Sequence, residues 1–360
     1  MRWTNLIAAD KRPIAYGERK FAGRARVKNR FWRIDARPKA TRFAGALTLQ
    51  EAELASPAAG QIVVRNHFLS MDAGTRMWLT DRTDGYQPPL ELGTPMTGLV
   101  LGEVVASRAE GFVEGDWVRA FGSWSDYSAV DPQLSGAARL DQNVADMRDH
   151  LGPLGMNGWT ALWGIEKTGA VQPGETVVVS AAAGATGLLA CQIARSLGAN
   201  VYAIAGGEEK CRLLETKYGV TAAFDYRADG LAQKLAGIAG GIDVYFDNVG
   251  GSILEAVLAS MALYGRVAVC GLIAEYADGG TGGPRNFDQV LMKRLRIEGF
   301  FSPDFMDQGE VLTARLRKWV DAGELALPYD VTCGLENTLG AYGKLFTGGN
   351  IGKVLVELEQ

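Results

Sequence analysis

Residues 176–187 read Thr-Val-Val-Val-Ser-Ala-Ala-Ala-Gly-Ala-Thr-Gly. A short β-branched run passes without a spacer into small residues, and these open a segment, 187–197, with helical periodicity that stops at Gly198. An apolar run this short is expected of a strand buried on both faces. The pattern Ala182-x-Gly184-x-x-Gly187 marks a strand-to-helix turn whose backbone a ligand can approach closely. The helix start behind it offers unbonded N–H groups and the positive end of a dipole to an anion. The spacing is that of the dinucleotide fingerprint, with alanine in its first place. A glycine turn needed only for strand–helix packing would carry the same letters, so the surrounding pattern has to decide.

That pattern alternates. Helical periodicity over 157–168 precedes the 176–180 strand; a second buried strand covers 200–205, a helix 208–218, and a short strand 224–226. Strands over 242–246 and 265–271 flank a helix over 252–263, and a last helix spans 310–322. Strand and helix in alternation for about 150 residues predict right-handed β-α-β units and an α/β fold, a Rossmann doubly wound parallel sheet. The preceding text is different. Strands over 61–66, 97–106, 117–121 and 126–130, separated by glycine turns, predict a compact, mostly β, partly closed barrel over roughly 30–150. The final run, 352–358, reads as a strand able to rejoin it.

Composition narrows the chemistry. The 360 residues hold 46 glycines, well above the typical ~7%, which implies many tight turns. His67 and His150 are the two histidines, and Cys191, Cys211, Cys270 and Cys333 are far apart with no Cys-x-x-Cys pair. No metal centre and no disulfide framework are expected, but reduced thiols in a cytoplasmic setting. No apolar run reaches the ~20 residues of a membrane span, and a net charge of −4 gives no overall basic field for nucleic acid. The charge is uneven: the first thirty residues carry nine Lys/Arg and two acids, leaving the remainder at −11. Without the apolar centre of a secretory signal, residues 1–28 are expected to be a solvated basic arm, with an anion-binding tail as the alternative.

The residues past the fingerprint bear on cofactor choice. A fold that prefers NAD usually places an acid on the ribose at the tip of the second strand; here that strand ends at Ala205-Gly206-Gly207, followed by Glu208, Glu209 and Lys210. Lys210 suits a 2′-phosphate and so favours NADPH/NADP, whereas Glu208 on the ribose would favour NAD.

Further segments recur in a fixed order. They are Val64-Arg65-Asn66 with Leu69-Ser70-Met71-Asp72, Tyr86-Gln87-Pro88-Pro89 with 91–96, and 155–161 around Asn157. Beyond them come 181–187, 206–210, Phe246-Asp247-Asn248-Val249-Gly250-Gly251, 270–276, Pro284-Arg285-Asn286 and Asn350-Ile351-Gly352-Lys353. From about residue 29 onward the sequence resembles the zinc-free medium-chain dehydrogenase/reductases. Within them it is similar to the branch of leukotriene B4 dehydrogenase/prostaglandin reductase, alkenal double-bond reductases and curcumin reductases. The resemblance implies a GroES-like domain over 29–154 completed by 326–360, an NADP-binding Rossmann domain over 155–325, and a homodimer. It implies that Gly184, Ala185, Thr186 and Gly187 cradle a pyrophosphate and that Lys210 and Tyr226 hold a 2′-phosphate. Asn157 would bind the cofactor, Asn248, Cys270, Gly271, Leu272, Ile273 and Tyr276 would line the nicotinamide side, and Phe300, Phe301, Ser302 and Asn350 would close the site. Two departures bear on substrate: Asp72-Ala73-Gly74-Thr75-Arg76-Met77 stands where the family has Asp-Pro-Tyr-Met-Arg-Gly, and Asn157 replaces a proline.

The expected activity is NADPH-dependent reduction of the carbon–carbon double bond of α,β-unsaturated ketones or aldehydes, with hydride going to the β-carbon. Tyr276 is the candidate donor to the carbonyl oxygen, or else a wall against the cofactor. The alternatives are an NADPH:quinone reductase, a non-catalytic NADPH-binding member of the same superfamily, and nucleic-acid binding through the arm.

Overall fold

The computed structural model describes residues 27–85, 87–276 and 282–359. The basic arm lies outside them up to residue 26, as does Tyr86 of the Tyr86-Gln87-Pro88-Pro89 motif. The chain divides into two compact units. One runs to Leu151 and takes in Asp330–Gly349 and the residues from Val354 on; the other is Gly152–Tyr329 with Asn350–Lys353.

The first unit is built from β1 (Lys28–Ile34), β2 (Leu47–Glu53), β3 (Ile62–Ser70), β4 (Thr97–Ser107), β5 (Trp117–Ser123), β6 (Tyr127–Val130) and β7 (Ala138–Arg139). β1 and β2 form an antiparallel pair. β3 pairs along one edge with β4 and along the other with β6. Its pairing with β4 shifts register between Asn66 and Phe68, and the extra residue, His67, changes which alternate side chains face inward. Before it Ile62 and Val64 join one core with Val104 and Val118; after it Leu69 and Met71 join a second with Trp32, Ile34 and Trp124.

The second unit opens with α1 (Met156–Trp163), which widens into a π-turn over Gly164–Thr168. The helical segment expected over 157–168 is present, with its last turn widened. The rings of Phe246 and Phe300 lie so close that a Cβ on Gly164 would sit 2.4 and 2.5 Å from them, and the backbone loosens beside them. Next come β8 (Thr176–Val179), α2 (Ala185–Ser196), β9 (Asn200–Ala205), α3 (Glu208–Thr216), β10 (Ala222–Asp225), α4 (Leu231–Ala236), β11 (Ile242–Asp247) and α5 (Gly251–Ser260). They are followed by β12 (Met261–Val269), α6 (Asp288–Lys293), β13 (Arg296–Gly299) and α7 (Gly309–Asp321). Among the described residues the sheet order is β10-β9-β8-β11-β12-β13, with parallel pairing throughout. The order reverses between β8 and β11, so a crevice opens at their carboxyl ends. Val177, Val178 and Val179 are fully buried, each stabilising the fold by ~1.5–3 kcal/mol relative to exposure.

The helix expected over 252–263 stops at Ser260, because Met261 already pairs with Ile242 of β11. β12 thus begins earlier than expected and carries an irregularity before Val244–Arg266, where Tyr264 adopts φ +62.

β14 (Tyr329–Cys333), α8 (Thr338–Thr347) and β15 (Lys353–Glu357) end the chain. β15 pairs antiparallel with β3, which makes the first unit's sheet order β14-β15-β3-β4-β5-β7. Its pairings stop short of a ring, as a partly closed barrel requires.

Candidate active site

The candidate site lies within the second unit, at the carboxyl ends of its strands. After β8 the chain turns through Ala181, at φ +46. The Gly184 N–H donates to the Ala181 carbonyl at 2.9 Å. Gly184 is the N-cap of α2, with φ −81 and ψ 174; no side chain caps it and no acid occupies the first turn. The N–H groups of Ala185, Thr186 and Gly187 therefore have no partner within the helix. A Cβ on Gly187 would lie 2.4 Å from the Ala181 oxygen, whereas one on Gly184 would meet only that oxygen, at 3.2 Å. Gly187 lets the helix close onto the strand; Gly184 keeps the mouth of the turn bare. Asn157, in α1, donates from Nδ2 to the Thr186 hydroxyl at 3.0 Å, tying the first turn of α2 to α1. From behind, the Gly352 N–H donates to the Ala183 carbonyl at 2.8 Å. Asn350 donates its Nδ2 to the Gly352 carbonyl at 3.1 Å, so its side chain shapes that supporting turn.

A second cluster lies at the ends of β9 and β10. Lys210, in the first turn of α3, is half-buried. Burial and then the nearby Arg227 push its pKa below the usual lysine value. The Arg227 guanidinium lies 5.7 Å from the centroid of the Tyr226 ring. A Cβ on Gly206 would sit 2.8 Å from Tyr226 Cε1 and 2.9 Å from Arg227 Nε, so a side chain there would push this pair aside. Asp225 is engaged by backbone: its Oδ1 accepts the N–H groups of Gly207 and Arg227, both at 2.9 Å, and these bonds hold its carboxyl below the usual range. Glu208 is exposed. Two cations and a phenol thus converge where the sequence placed Lys210 and Tyr226; Arg227 is an addition, legible only as the residue after Tyr226.

The third group lies past β11 and β12. Asn248 donates its Nδ2 to the Ser180 carbonyl at 2.7 Å. The N–H groups of Cys270 and Gly271 donate to the Asp247 carbonyl at 2.8 and 3.0 Å, and that of Ile273 to the Asn248 carbonyl at 3.2 Å. The Leu272 N–H donates to the Tyr276 hydroxyl at 3.0 Å. A Cβ on Gly271 would sit 2.9 Å from that hydroxyl, so the phenol folds back over its own loop. Burial, with Asp247 nearby, pushes the Cys270 thiol up to about 12, which leaves it a neutral thiol. Phe300 is buried edge-on against Phe246, 6.1 Å between centroids. Its ring belongs to the packing under the sheet. Phe301 is 41% exposed, and Ser302 begins the short 3-10 helix Ser302–Gln308.

These features fit a dinucleotide carrying an extra phosphate: an uncapped helix start, glycines at the two close approaches, and Lys210 with Arg227 held near each other. Among the described residues no three His, Cys, Asp or Glu side chains group so as to hold a metal ion, and no helix is long and apolar enough to cross a membrane.

Comparison with known proteins agrees with this architecture. Residues 30–136 match the family described as the N-terminal domain of oxidoreductase, and residues 185–316 the family described as zinc-binding dehydrogenase. The NADPH-dependent curcumin reductase of Escherichia coli (strain K12) is 33% identical over 343 residues, 93% of this chain and 99% of that protein. The chain belongs to the zinc-free medium-chain dehydrogenase/reductases, in their alkenal and curcumin reductase branch. The 2-alkenal reductase (NADP(+)-dependent) of Nicotiana tabacum is 38% identical over 297 residues, 82% of this chain and 86% of that protein. CurA from Vibrio vulnificus, solved alone and in complex with NADPH, superposes with a TM-score of 0.86 at 32% identity, covering 92% of this chain and 99% of that one. Within this oxidoreductase family, the segment Asp72–Met77 departs in sequence but is built into the first unit's packing. Arg76 is buried and donates to the carbonyls of Pro38 (3.0 Å) and Ala40 (3.1 Å), and Thr75 Oγ lies 2.8 Å from the Tyr342 hydroxyl.

Proposed function

We propose that this protein reduces the carbon–carbon double bond of α,β-unsaturated ketones or aldehydes with NADPH. The observation that carries the cofactor half of the reading is the meeting of Arg227 and Tyr226 over Gly206, with Lys210 near enough for Arg227 to act on it, in a unit that also holds an uncapped helix start. A 2′-phosphate brings roughly two negative charges to a place where two cations otherwise oppose each other. The names of the curcumin and alkenal reductases to which the chain is similar support the substrate half.

NADPH, when bound, supplies the hydride. The chain's part is to hold the phosphates on the N–H groups of Gly184–Gly187 and on Lys210 and Arg227, and to meet the negative charge that develops on the substrate's carbonyl oxygen. Hydrogen-bond donors of the chain would stabilise it. Tyr276 is the assigned donor: a hydroxyl that accepts one hydrogen bond can also give one, and its oxygen is held by the Leu272 N–H. Asn248, Cys270, Gly271, Leu272 and Ile273 form the assigned nicotinamide rim.

We further infer a homodimer in the cytoplasm. All four residues of β13, the sheet's edge, are exposed, and so are Phe287, Leu291 and Met292 shortly before it in sequence and Tyr264 of the neighbouring strand β12. An open edge flanked by apolar side chains suits a second copy of the chain. None of the four cysteines is paired, which suits a reducing compartment. Loss of NADPH absorbance across a panel of enones, enals and quinones tests the activity, and light scattering on the eluting protein tests the dimer. Turnover of quinones alone, or of no acceptor, would overturn the substrate assignment.

A further inference from the structure

Asp247 ends β11 and is completely buried. Its Oδ1 accepts four hydrogen bonds: from the Tyr245 hydroxyl at 2.8 Å, the Ser180 hydroxyl at 3.3 Å, and the N–H groups of Val249 and Gly250 at 2.8 and 2.9 Å. Its Oδ2, equally buried, accepts none. Its main-chain carbonyl accepts two more, from Cys270 and Gly271, and the ladder continues with Ile273 on Asn248 and Ala274 on Val249. One residue therefore fixes the turn after β11 through its carboxyl and the loop after β12 through its carbonyl. Ser180, at the end of β8, joins the same network: its hydroxyl also accepts the Asn248 N–H at 3.0 Å. The three strand ends around the reversal of sheet order are thus tied at a single buried acid.

Helix capping alone does not account for this choice. A buried carboxyl with one oxygen unpartnered is expensive, and Gly250, the N-cap of α5, has no side-chain cap of its own. The carboxyl acts on the loop in front of the helix. We propose that Asp247 is a positioning residue for hydride transfer, holding Asn248 and the Cys270–Tyr276 loop at the distance the nicotinamide requires. It touches neither cofactor nor substrate; it acts through the two turns it locks. This rests on the reading that NADPH binds here with its nicotinamide at these strand ends.

Asp247→Asn in the full chain tests it. The amide keeps an acceptor oxygen but weakens the bonds to Val249 and Gly250, since hydrogen bonds to an ionised acceptor are the stronger kind. The expected result is a folded protein that binds NADPH within about threefold of wild type, with shifted nicotinamide emission. Its kcat on an enone should fall by about ten- to a hundredfold, the range that a small misplacement of reacting groups produces. Wild-type emission and kcat would overturn the proposal. So would a melting temperature, an NADPH affinity and a kcat that all fall together, because that is the signature of a merely structural acid. If Asp247→Asn does not fold, Ser180→Ala takes its place. It removes one donor to Oδ1 and the acceptor of the Asn248 N–H, and is read by the same emission and kcat. If the wild type turns over no acceptor, the functional reading fails by itself, and the emission of bound NADPH in the variant still decides the role of Asp247.

Discussion

Gly184 and Gly187 stand three residues apart in one motif, and the structure gives them different work. A methyl on Gly187 would lie 2.4 Å from the Ala181 oxygen and 3.0 Å from the Ala181 carbonyl carbon and the Ala182 Cα, where ordinary contact begins at 3.4 Å. Each of these is a backbone atom. Ala181 is already at φ +46 and its carbonyl holds the Gly184 N–H, so relief by about 1 Å must open the turn. Overpacking of this kind costs ~1–3 kcal/mol. At ~2–4 °C per kcal/mol for a unit of this size, Gly187→Ala should lower the melting temperature of the second unit by ~2–12 °C. Gly184→Ala meets nothing but that oxygen at 3.2 Å, and its φ of −81 and ψ of 174 suit any residue. Its stability loss should stay below ~1 kcal/mol, the value of an unfavourable N-cap. The methyl would instead stand at the mouth of the helix start, and NADPH affinity should fall about tenfold, or ~1.4 kcal/mol. Calorimetry and a fluorescence titration with NADPH separate the two effects. The reasoning is refuted if Gly184→Ala melts as early as Gly187→Ala while binding NADPH as well as wild type.

Lys210→Ala should raise the dissociation constant for NADPH by ~10- to 100-fold, the range of one hydrogen bond to a charged group, and leave NADH within about twofold. Arg227→Ala should do the same to a lesser degree, and equal losses for both cofactors would remove these residues from the 2′-phosphate. Tyr276→Phe should lower kcat by about a hundredfold, as loss of a positioned proton donor does, with NADPH affinity unchanged; a wild-type kcat would dismiss Tyr276 as donor. The Arg285 guanidinium holds Glu255 at about 2, below its ordinary 4.5. A depressed carboxylate stabilises the fold fully above its unfolded value and loses that contribution as pH falls through its folded one. Glu255→Gln should therefore flatten the acid limb of melting temperature against pH between 4.5 and about 2, and superimposable limbs would show the pair to be inert.

The parallel sheet was legible because burial on both faces leaves a written trace: β8 is valine after valine, and each of the three is fully buried. β13 leaves no such trace. Arg296, Ile297, Glu298 and Gly299 are all exposed, and the segment is a strand only because β12 offers backbone partners. The β1–β2 pair leaves little trace for a related reason: in β1 the buried residues Phe31 and Trp32 are adjacent, which breaks the alternation that marks a half-buried strand. In the site, glycines and Lys210 could be read because spacing along the chain carries them. Arg227 and Ser180 could not, since what matters is their approach to Gly206 and to Asp247 across strands. Asp247 was visible as a letter between Phe246 and Asn248, but nothing local says that four donors converge on one of its oxygens and none on the other.

The two sides of the sheet reversal differ electrostatically, and the difference bears on the chemistry proposed. On the β9–β10 side, Lys210 and Arg227 remain close enough to depress the lysine, a cost that a dianionic phosphate removes on binding. On the β11–β12 side most of the site residues are neutral, although Glu275 lies in the same loop, its Oε1 3.5 Å from where a Cβ on Gly250 would sit. Asn248 and Leu272 carry no charge, the Cys270 thiol is held protonated up to about 12, and Asp247 is sealed below the surface. Asp247 is itself pushed upward by burial, so whatever charge it keeps is answered from within by Tyr245, Ser180 and two N–H groups. On the reading proposed, a dinucleotide would be gripped by charge at its phosphates and met mostly by neutral groups at its reacting end. A neutral donor such as Tyr276 would favour the transition state over the bound enone, because its hydrogen bond strengthens as negative charge grows on the substrate oxygen.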